Sequence, residues 1–194
     1  YARNVVAASQ PLAAQAGVQI LRNGGNAVDA AIATAITLTV VEPTMNGIGS
    51  DAFVIVSDNH DIHGFNGSGR SPAAWTPERF AGHDNMPEHG WDTVTVPGAV
   101  DTWVQLSDRF GQLPFEKLFD SAINYAAQGF AVSPVIAAGW ARAAEEFGYL
   151  EGFRTIFMPN GRAPTAGESF QSEAMANTLG EIADSRGESF YRGR

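Results

Sequence analysis

The run AVDAAIATAITLTVV, Ala27 to Val41, constrains this chain more than any other stretch. Asn26 stands before it as a helix cap and Glu42-Pro43 stops it. Its residues are apolar nearly all round, so a helix made from them must be buried on most sides rather than laid along a surface. Asp29, Thr34, Thr37 and Thr39 interrupt it, and it falls short of the ~20 residues a bilayer span requires. A fold with this helix inside it needs other layers to cover it.

Those layers can be read from the flanking sequence. Asn4 to Ala8 is short and β-prone. Ser9 reads as an N-cap and Pro11 as part of the first turn of a helix running to about Arg22. Leu12, Ala13, Ala16 and Ile20 recur on one helical face, and Asn23-Gly24-Gly25 ends it. Beyond the central helix, Ala52–Val56 and Ile62–Phe65 flank a polar turn and predict a hairpin. Residues 76–92 read as loop. Helices are expected over 99–110, 115–127, 134–147 and 172–186. Helices before and after a hairpin, without regular βαβ alternation, predict a layered α+β protein. No linker and no internal repeat divides the 194 residues, which we read as one domain, 1–194.

Charge narrows the partners. The formal net charge is −9, which argues against non-specific binding to nucleic acid or to an anionic membrane. There is no cysteine, so a disulfide, a thiolate metal site and a cysteine nucleophile are all excluded within these residues. The compartment stays open between cytoplasm and periplasm. The closing residues SFYRGR place two aromatics beside the end of the sequence, from which we expect the natural polypeptide to continue.

The motif candidates are mostly weak. Gly47-Ile-Gly49-Ser-Asp-Ala52 fits a loose G-x-G-x-x-A dinucleotide fingerprint, but that motif must follow a strand and open a helix. Here a helix precedes it and a β-run comes after it, so a tight turn feeding a central strand is the better reading. His60, His63, His83 and His89 lie in polar loops or on the hairpin, without zinc-site spacing, and read as surface residues; no metal is expected. Asp101, Glu145 and Glu146 read as solvent faces. No nucleophile elbow or Walker loop is present.

One residue stands out. In FNGSGRSPAAW, Arg70 carries a permanent charge among small residues, with no acid nearby in sequence to neutralise it. Its planar fork of donors suits a carboxylate held at two points, and Gly67, Ser68, Gly69 and Ser71 leave room for a ligand or another backbone. Read locally, a surface turn with a solvated arginine is the favoured account.

Taken together, AASQPLAAQAGVQILRNGGNAVDAAIATAITLTVVEP, NGIGSDAFVIV, GSGRSPAA, TVPGAVDTWVQLSDRFGQLPFEKLFDSAINYAAQGFAVS and SFYRGR resemble the N-terminal part of the γ-glutamyltransferase family, in family order and over nearly the whole chain. The resemblance implies a four-layer αββα N-terminal-nucleophile hydrolase fold, made as one precursor and completed by a second chain. It implies self-cleavage that exposes a threonine on that second chain, whose hydroxyl attacks a γ-glutamyl amide with its own α-amine as base. No catalytic residue is then expected here, no cofactor, and an assembly of αβ or (αβ)2 type. This chain becomes part of the larger, non-nucleophilic subunit, and Arg70 the residue that pairs with the α-carboxylate of the γ-glutamyl group.

Two departures from the family pattern bear on substrate. Ser50-Asp51 stands where the family has further glycines, and Ser71 where Glu usually follows the arginine. Both resemble the γ-glutamyltransferase-like branch that includes oxamate amidohydrolases and glutaryl-type acylases. Oxamate-type or glutaryl-type amide hydrolysis on the same fold is the alternative to transfer or hydrolysis of γ-glutamyl groups, and an inactive binding relative is the non-enzyme alternative.

Overall fold

The structure, a computed structural model, describes residues 3–58 and 60–193. They form two compact units. One contains the described residues up to Gly47 together with those from Leu106 onward, and the other runs from Ile48 to Gln105.

The first unit is built on the predicted central helix. Helix α1 (Pro11–Arg22) and helix α2 (Ala27–Val41) pack against each other, and α2 also meets α4 (Asp120–Gln128) and the 3-10 turn Phe115–Phe119. Ile32, Ile36, Val40 and Val41 on α2 are all buried, as are Phe115, Phe119, Ala122 and Ala126 facing it. Full burial of one such side chain stabilises by roughly 1.5–3 kcal/mol, so this cluster supplies much of the unit's stability. The three threonines inside α2 need no outside partner. Thr34, Thr37 and Thr39 donate to the carbonyls of Ala30, Ala33 and Ile36, each at 2.7 Å.

Close approach of α1 to α2 depends on Gly17. A Cβ there would lie 2.3 Å from Thr34 Oγ1 and 3.1 Å from the Ala30 carbonyl oxygen. The cap of α1 differs from expectation. Gln10, not Ser9, is the N-cap; its side-chain oxygen accepts from the N–H groups of Leu12 and Ala13. Ser9 is unavailable because its hydroxyl donates to the carboxylate of Glu42 at the end of α2. Asn26 caps α2 as read, and Asp29 completes a capping box.

The rest of the unit differs in detail. The helix expected over 115–127 begins as a 3-10 turn and becomes α-helical from Asp120. Helix α5 (Pro134–Phe147) is followed by α6 (Glu151–Phe157), which sequence reading missed. Strands β3 (Phe130–Ala131) and β4 (Ser169–Phe170) form a short antiparallel pair. Buried Trp140 stacks edge-on to Phe170 at 4.7 Å and donates its indole N–H to the Phe157 carbonyl at 2.9 Å. Helix α7 (Glu173–Ser185) packs on α4, and α8 (Glu188–Arg192) holds the closing aromatics. Residues 4–8, β-prone in sequence, pair with no strand among the described residues.

The second unit holds the predicted hairpin and the loop and helix start beyond it. β1 (Ala52–Ser57) pairs antiparallel with β2 (Ile62–Gly67), from Ala52 opposite Gly67 to Ser57 opposite Ile62. Among the described residues β1 has β2 as its sole strand neighbour. The connecting turn is closed by Asp58, which accepts from the backbone of Asp61 at 2.9 Å and His60 at 3.2 Å. Two 3-10 turns, Pro77–Phe80 and Trp91–Thr93, interrupt the long loop after β2 and are tied by Arg79 to Asp92. Helix α3 (Ala99–Phe110) begins in this unit and ends in the first.

Candidate substrate-binding site

Three of the sequence blocks meet in the second unit. The turn before β1, the Gly-Ser-Gly-Arg loop after β2, and the segment Thr95–Gly98 before α3 are bonded to one another. The Ser50 carbonyl accepts from the N–H groups of Gly98 at 3.3 Å and Ala99 at 3.0 Å. The Arg70 carbonyl accepts from Val96 N–H at 2.9 Å, and Thr95 Oγ1 donates to the Ser68 carbonyl at 3.3 Å. Thr102 closes the start of α3 by donating to the Gly98 carbonyl at 2.8 Å.

Glycine is required where these strands touch. Gly69 has φ +75°, and a Cβ on it would lie 1.8 Å from the Val96 carbonyl oxygen. Both conditions exclude a side chain at the residue before Arg70. The room that the small residues leave for a ligand or another backbone is in part taken by this second backbone.

Arg70 itself is exposed, and its guanidinium makes no hydrogen bond or ion pair among the described residues. Its backbone is held, and its charge is not. Asp51 and Ser71, the two departures from the family pattern, are exposed as well. Gly98, Thr95 and the Ser50 carbonyl were not singled out from sequence. The recurrence of glycine in Gly67-x-Gly69 and again at Gly98 is the signal that a close backbone crossing lay there.

The remaining candidates have structural explanations. His63 pairs with Asp58 at 3.0 Å across the hairpin turn. Hydrogen bonds from the Asp61 backbone, His63 and the His60 backbone lower the Asp58 pKa to about 2. His60, His83 and His89 are exposed, and no group of three or more His, Asp or Glu side chains among the described residues could hold a metal ion. Asp101, Glu145 and Glu146 are exposed, as read. No helix among the described residues is long and apolar enough to cross a membrane.

A groove of about 760 Å³ in the first unit is lined by residues 3–8, by Gly25 and Asn26, and by side chains of α1 and α2, with Arg3 its sole charged group. It offers no acid, base or nucleophile. A cavity of about 350 Å³ sits on the hairpin between Phe53, Ile55, Gly64 and Asn66. There Phe53, Ile55 and Ile62 share one face and are 68–79% exposed.

A mixed helical and short-stranded chain, with an arginine loop clamped at the end of a hairpin, belongs to a known class. The gamma-glutamyltranspeptidase family model matches residues 13–194, and the chain belongs to that family. It is 35% identical over 98% of its length to a glutathione hydrolase-like YwrD proenzyme of Bacillus subtilis. It is 37% identical over 94% of its length to an oxamate amidohydrolase proenzyme of Klebsiella pneumoniae. The chain spans 37% and 36% of those two relatives. Among solved structures, a cephalosporin acylase from Bacillus halodurans superposes with a TM-score of 0.92 at 46% identity, covering all of this chain and 39% of that one. The α+β fold is thus that of the N-terminal-nucleophile hydrolases of gamma-glutamyltranspeptidase and acylase type.

Proposed function

We propose that this chain is the N-terminal part of the non-nucleophilic subunit of a self-processing amidase, and that Arg70 binds the carboxylate of its acyl donor. The observation that carries the reading is the contrast at Arg70 between a backbone held by Val96 and a guanidinium without a partner among the described residues. An arginine fork matches a carboxylate at two points, and such charge-assisted pairs are roughly twice as strong as neutral hydrogen bonds. Arg70 fixes one end of the substrate. The threonine hydroxyl that attacks the amide belongs to the partner chain, as does its α-amine base. Holding the carboxylate places the amide at a set distance from that nucleophile, which converts binding energy into orientation.

Two observations support a partner chain from the same precursor. Both curated relatives are proenzymes of which this chain spans little more than a third. The apolar hairpin face of Phe53, Ile55 and Ile62 also has the character of a surface that another layer covers. The four-layer αββα arrangement is complete once that second chain is added, in an αβ or (αβ)2 assembly.

A hydrolase acting on small carboxylate-bearing amides is the second reading. Ser50-Asp51 and Ser71 favour it, as do the likenesses to an oxamate amidohydrolase and to an acylase. Steady-state kinetics of the full-length, matured protein on γ-glutamyl p-nitroanilide, glutaryl p-nitroanilide and oxamate separates the two. For the preferred donor, Arg70→Ala is expected to lower kcat/KM by roughly a hundredfold, about 3 kcal/mol, the cost of losing one charged pair. Unchanged kcat/KM in Arg70→Ala removes the carboxylate clamp. A second chain beginning with a residue other than Thr, Ser or Cys removes the nucleophile and leaves a binding relative.

A further inference from the structure

We infer that Gly98 is a positioning residue for Arg70, setting where the guanidinium stands by letting the arginine loop lie directly against the start of α3. The inference rests on the proposed role of Arg70 as the carboxylate clamp. Gly98 is buried and its own backbone is of a kind any residue adopts, since it is absent from the left-handed glycines. Glycine is therefore not required at 98 by local conformation. It is required by its neighbours in space. A Cβ on Gly98 would stand 2.0 Å from the Gly67 carbonyl oxygen, 2.6 Å from the Gly67 carbonyl carbon and 2.9 Å from Gly69 N.

All three of those atoms are backbone, so no side-chain rotation relieves the contact. They belong to the residues immediately before Arg70. On its own side, Gly98 is fixed by its N–H to the Ser50 carbonyl and by its carbonyl to Thr102 Oγ1. An added methyl group therefore pushes Gly67, the last residue of β2, and the 68–70 loop away by well over ~1 Å to reach ordinary contact. Arg70 moves with it, because Val96 N–H to the Arg70 carbonyl and Thr95 Oγ1 to the Ser68 carbonyl are bonds between the same two segments. A guanidinium displaced by that much no longer meets the donor carboxylate at two points, so the loss falls on binding of the carboxylate donor.

The loop after β2 supplies a control. Gly82 is exposed there, and a Cβ on it meets nothing within 4 Å. Gly82→Ala therefore tests whether altering a glycine of this unit is by itself enough to disturb the site.

The experiment uses the full-length, matured enzyme and whichever of γ-glutamyl p-nitroanilide, glutaryl p-nitroanilide and oxamate it turns over, with a matched donor whose carboxylate is replaced by a neutral carboxamide. In Gly98→Ala, KM for the carboxylate donor is expected to rise at least about tenfold with kcat within about threefold, while the carboxamide donor changes little. Gly82→Ala is expected to leave both unchanged. Equal losses on both donors in Gly98→Ala, or unchanged KM, overturn the inference. Should Gly98→Ala fail to mature, Thr95→Val, which removes the hydroxyl bonded to Ser68, decides: a two- to fivefold rise in KM for the carboxylate donor alone is roughly the effect of one lost hydrogen bond, and no rise overturns it. Arg70→Ala measured alongside separates the two claims. A raised KM there with an unaffected Gly98→Ala refutes the Gly98 role alone, whereas an unaffected Arg70→Ala, or turnover of none of the three donors, refutes the reading beneath it.

Discussion

Replacing Asp29 by alanine is expected to destabilise the protein by about 3 kcal/mol. Asp29 is fully buried on α2, and its carboxylate is surrounded by backbone donors. It accepts from Asn26 N–H at 3.0 Å, from Gln112 N–H at 3.1 Å and from Leu113 N–H at 3.2 Å. One side chain thus closes the N-terminus of α2 and anchors the chain beyond α3, while Asn26 Nδ2 bonds the Phe110 carbonyl at 2.6 Å beside it. Leaving a buried donor unsatisfied costs about 1–3 kcal/mol, and three are released at once. Gln112 is exposed, so its N–H can turn to water, which holds the total near ~3 kcal/mol rather than at the upper limit. For a folding unit of 150–250 residues that is a fall in Tm of roughly 6–12 °C. Thermal unfolding of the protein, with Arg22→Ala as an exposed control on α1, measures it. Asn is not a conservative replacement, because its NH2 group presents donors to a site that already consists of donors. A fall of under about 2 °C in Asp29→Ala would refute the argument that this carboxylate holds the two segments together.

Two further outcomes are expected from the packing and the ion pairs. Gly17→Ala gains about 1 kcal/mol of helix propensity, yet it is expected to be net destabilising by about 1–2 kcal/mol, because its Cβ meets Thr34 Oγ1 and the Ala30 carbonyl, which are already bonded to each other; a raised Tm would show that α1 can move away at little cost. Glu168 has its pKa lowered from 4.5 to about 2 by Arg162, then by the backbone and hydroxyl of Thr165. Because the folded-state pKa is the lower one, the stabilisation is complete above pH 4.5 and is lost as pH falls towards about 2. Hydrogen exchange in residues 162–168 should therefore rise over that window in the native protein and lose this dependence in Glu168→Gln.

Much of this fold is legible along the chain because it rests on local chemistry. An all-apolar helix with Asn26 before it and Pro43 after it can be little else, and the hairpin declares itself by two β-prone runs around Asp58. Errors arose where a side chain had a distant claim on it. Ser9 carries every local mark of an N-cap, but its hydroxyl goes to Glu42, 33 residues away, and Gln10 takes the cap instead. Helix α6 is only Glu151–Phe157, too short for its periodicity to show against the surrounding loop.

At the candidate site the division is the same. Arg70 was visible as a charge without a neighbour, since an arginine among Gly and Ser residues is a local fact. The composition and order of the motifs likewise place the chain in its family, because they record which backbone and side-chain types each position tolerates. Only the folded chain shows that Gly67 and Gly69 face Gly98, that Ser50 caps the approach to α3, and that a methyl group at residue 98 has nowhere to go. Such contacts join residues from about thirty to about fifty positions apart, and periodicity and propensity act over a few residues. The surroundings of a glycine are therefore decided by tertiary packing alone.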